Sequence, residues 1–70
     1  MEVVMDGIRM PQVKNTFKQG DFVLTILAYR KLSANEILMA AGKYLQSVKR
    51  KTMPQRGSAT FVTTIGFDGF

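Results

Sequence analysis

The side chains of this chain best equipped for chemistry are its cations. Five Lys or Arg fall among the fourteen positions from Lys43 to Arg56, KYLQSVKRKTMPQR, with no acid between them. Such a run holds phosphate or carboxylate oxygens by charge-assisted hydrogen bonds, and it supplies no proton acceptor. Acceptors are scarce elsewhere too: His and Cys are absent, and the acids Glu2, Asp6, Asp21, Glu36 and Asp68 are scattered along the whole length. Nucleophilic catalysis needs a Ser, Cys or Lys beside a tunable base, and no short segment brings such a pair together. A Mg²⁺ site would have to be gathered from Asp6 and Asp68, at opposite ends of the chain. The expectation is a non-enzymatic binding protein with no cofactor and no structural metal.

Charge is regional. From Arg30 to Arg56, seven basic residues (Arg30, Lys31, Lys43, Lys49, Arg50, Lys51 and Arg56) stand against Glu36 alone, a balance of +6; the remainder has three basic and four acidic residues, −1, for a net +5. A basic region on a small domain is the electrostatic footprint of a polyanion binder. These seven residues are therefore the expected contacts to nucleic-acid phosphates, with little reading of bases. An acidic protein, on which the chain docks as an interaction or inhibitor module, is the alternative partner. Lys49, Arg50 and Lys51 read as a last helical turn, where each offsets free carbonyls by about 0.3–1 kcal/mol. A helix of about 16 residues, about 24 Å long, separates them from Arg30 and Lys31, so a stripe along the helix is expected rather than one pocket. Arg56 joins Arg30 and Lys31 only if the strand ending at Lys31 and the loop carrying Arg56 lie at one end of the sheet.

The elements that must position these charges begin with a helix. Ser33, Ala34, Asn35 and Glu36 form an S-x-x-E capping box, and Leu32 with Ile37 supplies a hydrophobic staple. Ile37, Leu38, Ala41, Tyr44, Leu45 and Val48 then recur at the spacing of one helical face, read as core. Gly42 lies in that pattern, which implies either close packing against it or a break, and Pro54 closes the pattern. Residues 58–67, SATFVTTIGF, alternate as a strand with Ala59, Phe61, Thr63, Ile65 and Phe67 on one face. DFVLTILAYRKL is apolar on both sides, the pattern of a central strand, although a buried helix gives a similar run. EVVMDGIRMPQV offers a further strand broken at Gly7 and Pro11, and KQGD a turn before Asp21.

The fold expected is α+β: a single small β-β-α-β domain of residues 1–70, its three-stranded sheet carrying one capped helix on one face, with residues 1–20 a loosely attached strand or arm. Seventy residues bury only about 60% of their unfolded surface, and without Cys or His the common supports are lacking. Self-association through the other sheet face, as a homodimer, is the expected remedy. The Cys-free composition points to the cytoplasm, and the longest near-apolar run, Phe22 to Tyr29, is eight residues against the roughly 20 a spanning helix needs. No membrane partner is expected.

Two other patterns compete. In a winged helix-turn-helix, DFVLTILAYRK is a first helix, Gly42 sits in the turn, Lys43, Gln46, Ser47, Lys49 and Arg50 face a major groove, and RGSATFVTTIGF is the wing. The segment RGSATFVT partly matches an RNA-binding strand signature, but Ser58 and Thr60 stand where stacking aromatics belong, leaving only Phe61.

Overall fold

The computed structural model describes residues 10–67. Along them run β1 (Val13–Gln19), β2 (Asp21–Ala28), α1 (Ala34–Ser47) and β3 (Arg56–Val62). The sheet order is β1-β2-β3, with β1 antiparallel and β3 parallel to β2. This is the expected β-β-α-β layout in α+β form, and it removes the winged alternative: the supposed first helix is the central strand. The expected N-terminal strand in EVVMDGIRMPQV lies largely outside the described residues, and β1 starts only at its last position, Val13. The signal passed over was the alternation in VKNTFKQ itself.

β1 and β2 are joined tightly. Gln19 pairs with Phe22 around Gly20 and Asp21, and Gly20 takes the left-handed φ of 60° that such a two-residue hairpin loop demands at its first position. The register then settles the faces. Phe22, Leu24, Ile26 and Ala28 point toward α1 and are buried, with Phe17, Asn15 and Val13 beside them on β1 and Gly57, Ala59 and Phe61 on β3. At 25 cal/mol per Å², each fully buried Leu or Ile contributes about 1.5–3 kcal/mol, so Leu24 and Ile26 anchor the sheet.

The helix meets this face through Ala40 and Ala41, whose small side chains let it sit close, mainly over β1 and β2. Tyr44 fills the gap toward β3, its ring 6.2 Å from that of Phe22 and 6.0 Å from that of Phe61. The expected core stripe is corrected at its margins: Ile37, Tyr44 and Leu45 are half-buried, whereas Leu38 at 59% and Val48 at 42% are exposed. One flat sheet covers a narrower arc than six positions span. Gly42 needs neither of the explanations expected of it, since the helix runs through it unbroken and a Cβ there would meet nothing within 4 Å.

Both helix ends carry built caps. At the start, Ser33 Oγ accepts from the Glu36 amide at 3.3 Å while the Ser33 amide donates to Glu36 Oε1 at 2.9 Å, the reciprocal capping box read from sequence. At the end, the Lys49 amide donates to Gln46 O and the Arg50 amide to Leu45 O, the paired bonds of a Schellman motif. Lys49 therefore occupies the left-handed position, φ 58°, that glycine usually fills.

Asn15 ties the front of the molecule together. Buried at 5% exposure, its amide nitrogen donates to the carbonyls of Val13, Ile26 and Arg30 at 3.2–3.5 Å, and its Oδ1 accepts from the Leu32 amide at 2.8 Å. The link from β2 into α1 is thus fastened to β1. Beyond β3 the expected strand stops short: Val62 is its last residue, and Thr64 to Phe67 form a turn closed by the Phe67 amide on Thr64 O, with the Phe67 ring 4.7 Å from that of Tyr29.

Among the described residues no element covers the face away from α1, and that face differs from the expectation of an apolar one wanting cover. Phe22 and its companions lie on the helix side. The open side instead reads in rows across β1, β2 and β3: Asp21 with Arg56; Lys18, Val23 and Ser58; Thr16, Thr25 and Thr60; Lys14, Leu27 and Val62. Val23, Thr25 and Leu27 are half-buried by their neighbours, and the rest is exposed. Among the described residues no helix is long and apolar enough to cross a membrane.

Candidate nucleic-acid interface

The parallel pairing of β2 with β3 decides which cations meet. Arg56 sits opposite Asp21, at the hairpin end of the sheet, while Arg30 follows the far end of β2. At 3.3 Å per residue, the seven steps from Asp21 to Ala28 separate the two ends by about 23 Å. Arg56 therefore does not join Arg30 and Lys31, as one sequence arrangement required.

Arg30 is also engaged. Its guanidinium forks onto Glu36, Nη1 donating to Oε1 at 2.9 Å and Nη2 to Oε2 at 2.7 Å, and Nη1 also donates to the Lys31 carbonyl at 3.1 Å. Hydrogen bonding from Arg30, followed by the Ser33 amide, holds the Glu36 carboxyl down from its ordinary 4.5 to about 2. Arg30 is thus a structural cation that locks the helix start, with Lys31 exposed beside it. Lys43 projects from the exposed side of α1.

The other four expected contacts lie along one connection, the loop from α1 to the start of β3. α1 ends at Ser47, six residues before Met53, so Lys49, Arg50 and Lys51 are not its last turn: no basic residue lies there, and the carbonyl-offsetting role expected of them is corrected. They form the exposed start of a loop that leads to Arg56. That loop is pinned at two points, by Arg50 Nε donating to Thr52 O at 3.2 Å and by the Asp21 amide donating to Gln55 O at 3.3 Å. The second bond brings the loop against the β1–β2 turn. Between them lies a cleft of about 370 Å³ lined by Gln19, Gly20, Thr52, Met53, Pro54 and Gln55.

Lys18 belongs to the same end, and sequence reasoning missed it. It lies on the open face one row above Arg56 and two strands across, a Cα separation of about 12 Å from strand spacings of about 4.8 Å. Lys14 continues the line at the other end of that face. Both were detectable in VKNTFKQ, where charged positions alternate with Val13, Asn15 and Phe17. Phe61, the surviving aromatic of the partial RNA-binding signature, faces α1 and packs edge-on against Tyr44, so it offers no ring to the open face.

Across residues 10–67 there are nine basic and two acidic residues, +7, and of the two acids Glu36 is committed to Arg30. Among the described residues Asp21 is the acid of the hairpin end, opposite Arg56 in the register. The chain matches no protein-family model, no curated protein and no solved structure.

Proposed function

We propose that the protein is a non-enzymatic nucleic-acid-binding domain that grips backbone phosphates with its hairpin end. The observation carrying this reading is that Lys18 and Arg56 lie at the hairpin end, where the Asp21–Gln55 hydrogen bond also fastens the loop that carries Lys49, Arg50 and Lys51, with Asp21 the one acid of that end among the described residues. Phosphate recognition asks for cations with rigid supports and little else. Arg30 serves the helix instead, and Lys31 and Lys43 add to the surrounding field. The homodimer expected from chain length belongs to this proposal with a changed location. The bare sheet face is polar and basic, so a second copy adds instead along the free edge of β3, whose residues after Arg56 carry no charge.

Binding of a labelled duplex and a labelled single strand across a salt series tests the reading. Affinity falls with salt at a slope of about −0.9 per phosphate neutralised on duplex and about −0.7 on single strands. Replacing Lys18, Lys51 and Arg56 together by Gln flattens that slope by about two to three units. Lys31→Gln, at the opposite end, leaves it nearly unchanged. Equal losses per charge removed in the two variants mean the charge acts as a diffuse cloud, and the assignment to one end fails. Absence of binding to either strand type at low salt removes nucleic acid as the partner and favours an acidic protein surface.

A further inference from the structure

The cleft at the hairpin end has a composition that phosphate binding does not use. Of its lining residues, Gln19 and Gln55 carry primary amides, each with two donor hydrogens and an acceptor oxygen, and Thr52 carries a hydroxyl. Met53 and Pro54 are its apolar walls, both half-buried, and a thioether packs favourably on an aromatic ring. Its volume of about 370 Å³ lies toward the lower end of the roughly 300–1,000 Å³ of small-ligand sites. Three of the four chain flanks of the lining are basic, with Lys18 before Gln19, Arg50 and Lys51 before Thr52, and Arg56 after Gln55; the fourth, after Gly20, is Asp21.

A ligand that suits this cleft is flat, apolar on its face, furnished with hydrogen-bonding edges and flanked by negative charge. We propose that the cleft receives one unstacked base of a single-stranded nucleic acid, with the phosphates on either side of that nucleotide held by Lys18, Lys51 and Arg56. The inference rests on the nucleic-acid reading above and sharpens it, since it replaces binding without base contacts by binding with one base inserted. Bases in a duplex are stacked and paired, and extruding one costs a few kcal/mol, so the cleft favours single strands. Of the bases, adenine presents adjacent donor and acceptor groups that a glutamine amide meets with two hydrogen bonds.

Three ligands of equal length decide the matter: an oligoadenylate, an abasic sugar-phosphate oligomer of the same charge, and a duplex. The oligoadenylate is expected to bind at least tenfold more tightly than the abasic chain at equal salt. The double variant Gln19→Ala, Gln55→Ala is expected to reduce oligoadenylate affinity to the abasic level while leaving abasic binding unaltered. Because a variant can misfold, the parent protein supplies an independent readout: adenosine monophosphate shifts the side-chain NH₂ resonances of Gln19 and Gln55 ahead of other amides. Equal affinity for oligoadenylate and abasic chain, both salt-sensitive, overturns the base cleft and leaves phosphate binding standing. Failure of all three ligands to bind overturns both.

Discussion

Single residues set several local balances in this protein that composition conceals. Asn15 is the plainest. It replaces what an apolar side chain would do at a buried strand position with four hydrogen-bond contacts to the backbone, one of them to the Leu32 amide at 2.8 Å. Asn15→Ala strands that amide and the Arg30 carbonyl, and it is expected to lower stability by about 2–3 kcal/mol, read as a reduced urea midpoint with an unchanged m-value. Gly42 and Lys49 show the opposite mismatch. A glycine stands mid-helix with open space around it, and a lysine stands where the backbone is left-handed. Gly42→Ala and Lys49→Gly should each stabilise by about 0.5–1 kcal/mol in thermal melts, and the second should still weaken nucleic-acid binding. Loss of stability in Lys49→Gly would show that its side chain supports the loop.

Among the elements, α1 is held by its ends more than by its propensity. Glu36 serves two partners at once, the Ser33 amide and the Arg30 fork, and its carboxyl is depressed to about 2. A group whose pKa is lower folded than unfolded adds stability that is complete above its unfolded value near 4.5 and is lost as pH falls toward 2. Melting temperature is therefore expected to drop over that interval, and Glu36→Gln should make the profile flatter there while lowering it at neutral pH. A Glu36→Gln profile as steep as the parent's would show that the Arg30–Glu36 pair does not set the acid sensitivity.

How far these elements were legible depended on the range of the forces that set them. The capping box is a four-residue signal whose chemistry is local, and it appeared where Ser33 and Glu36 placed it. β2 was readable only in part, because DFVLTILA is apolar on both sides and suits a buried helix as well; its alternating burial appears only once α1 covers one face. The helix end was misplaced because Pro54 is a visible stop, whereas the Schellman bonds at Val48 to Arg50 form on a lysine, which carries no terminator signal. The interface was half readable. Lys49 to Arg56 announced themselves as a run, but Lys18 and the separation of Arg30 from Arg56 follow from the parallel register of β2 and β3, joined through 27 intervening residues.

At the scale of the whole molecule, the three strands and one helix of the described residues leave an open face and two strand edges among themselves. β1 carries Lys14 and Lys18 along its edge, the usual guard against unwanted pairing. β3 has no such guard beyond Arg56. The pairing of a second copy proposed for that edge is opposed by the chain's net charge of +5, a repulsion that counter-ions screen. Salt therefore pulls the protein in two directions. On the proposed function, the salt that would release nucleic acid would also screen the repulsion between copies, so pairing along β3 is expected to strengthen under the conditions that weaken phosphate binding.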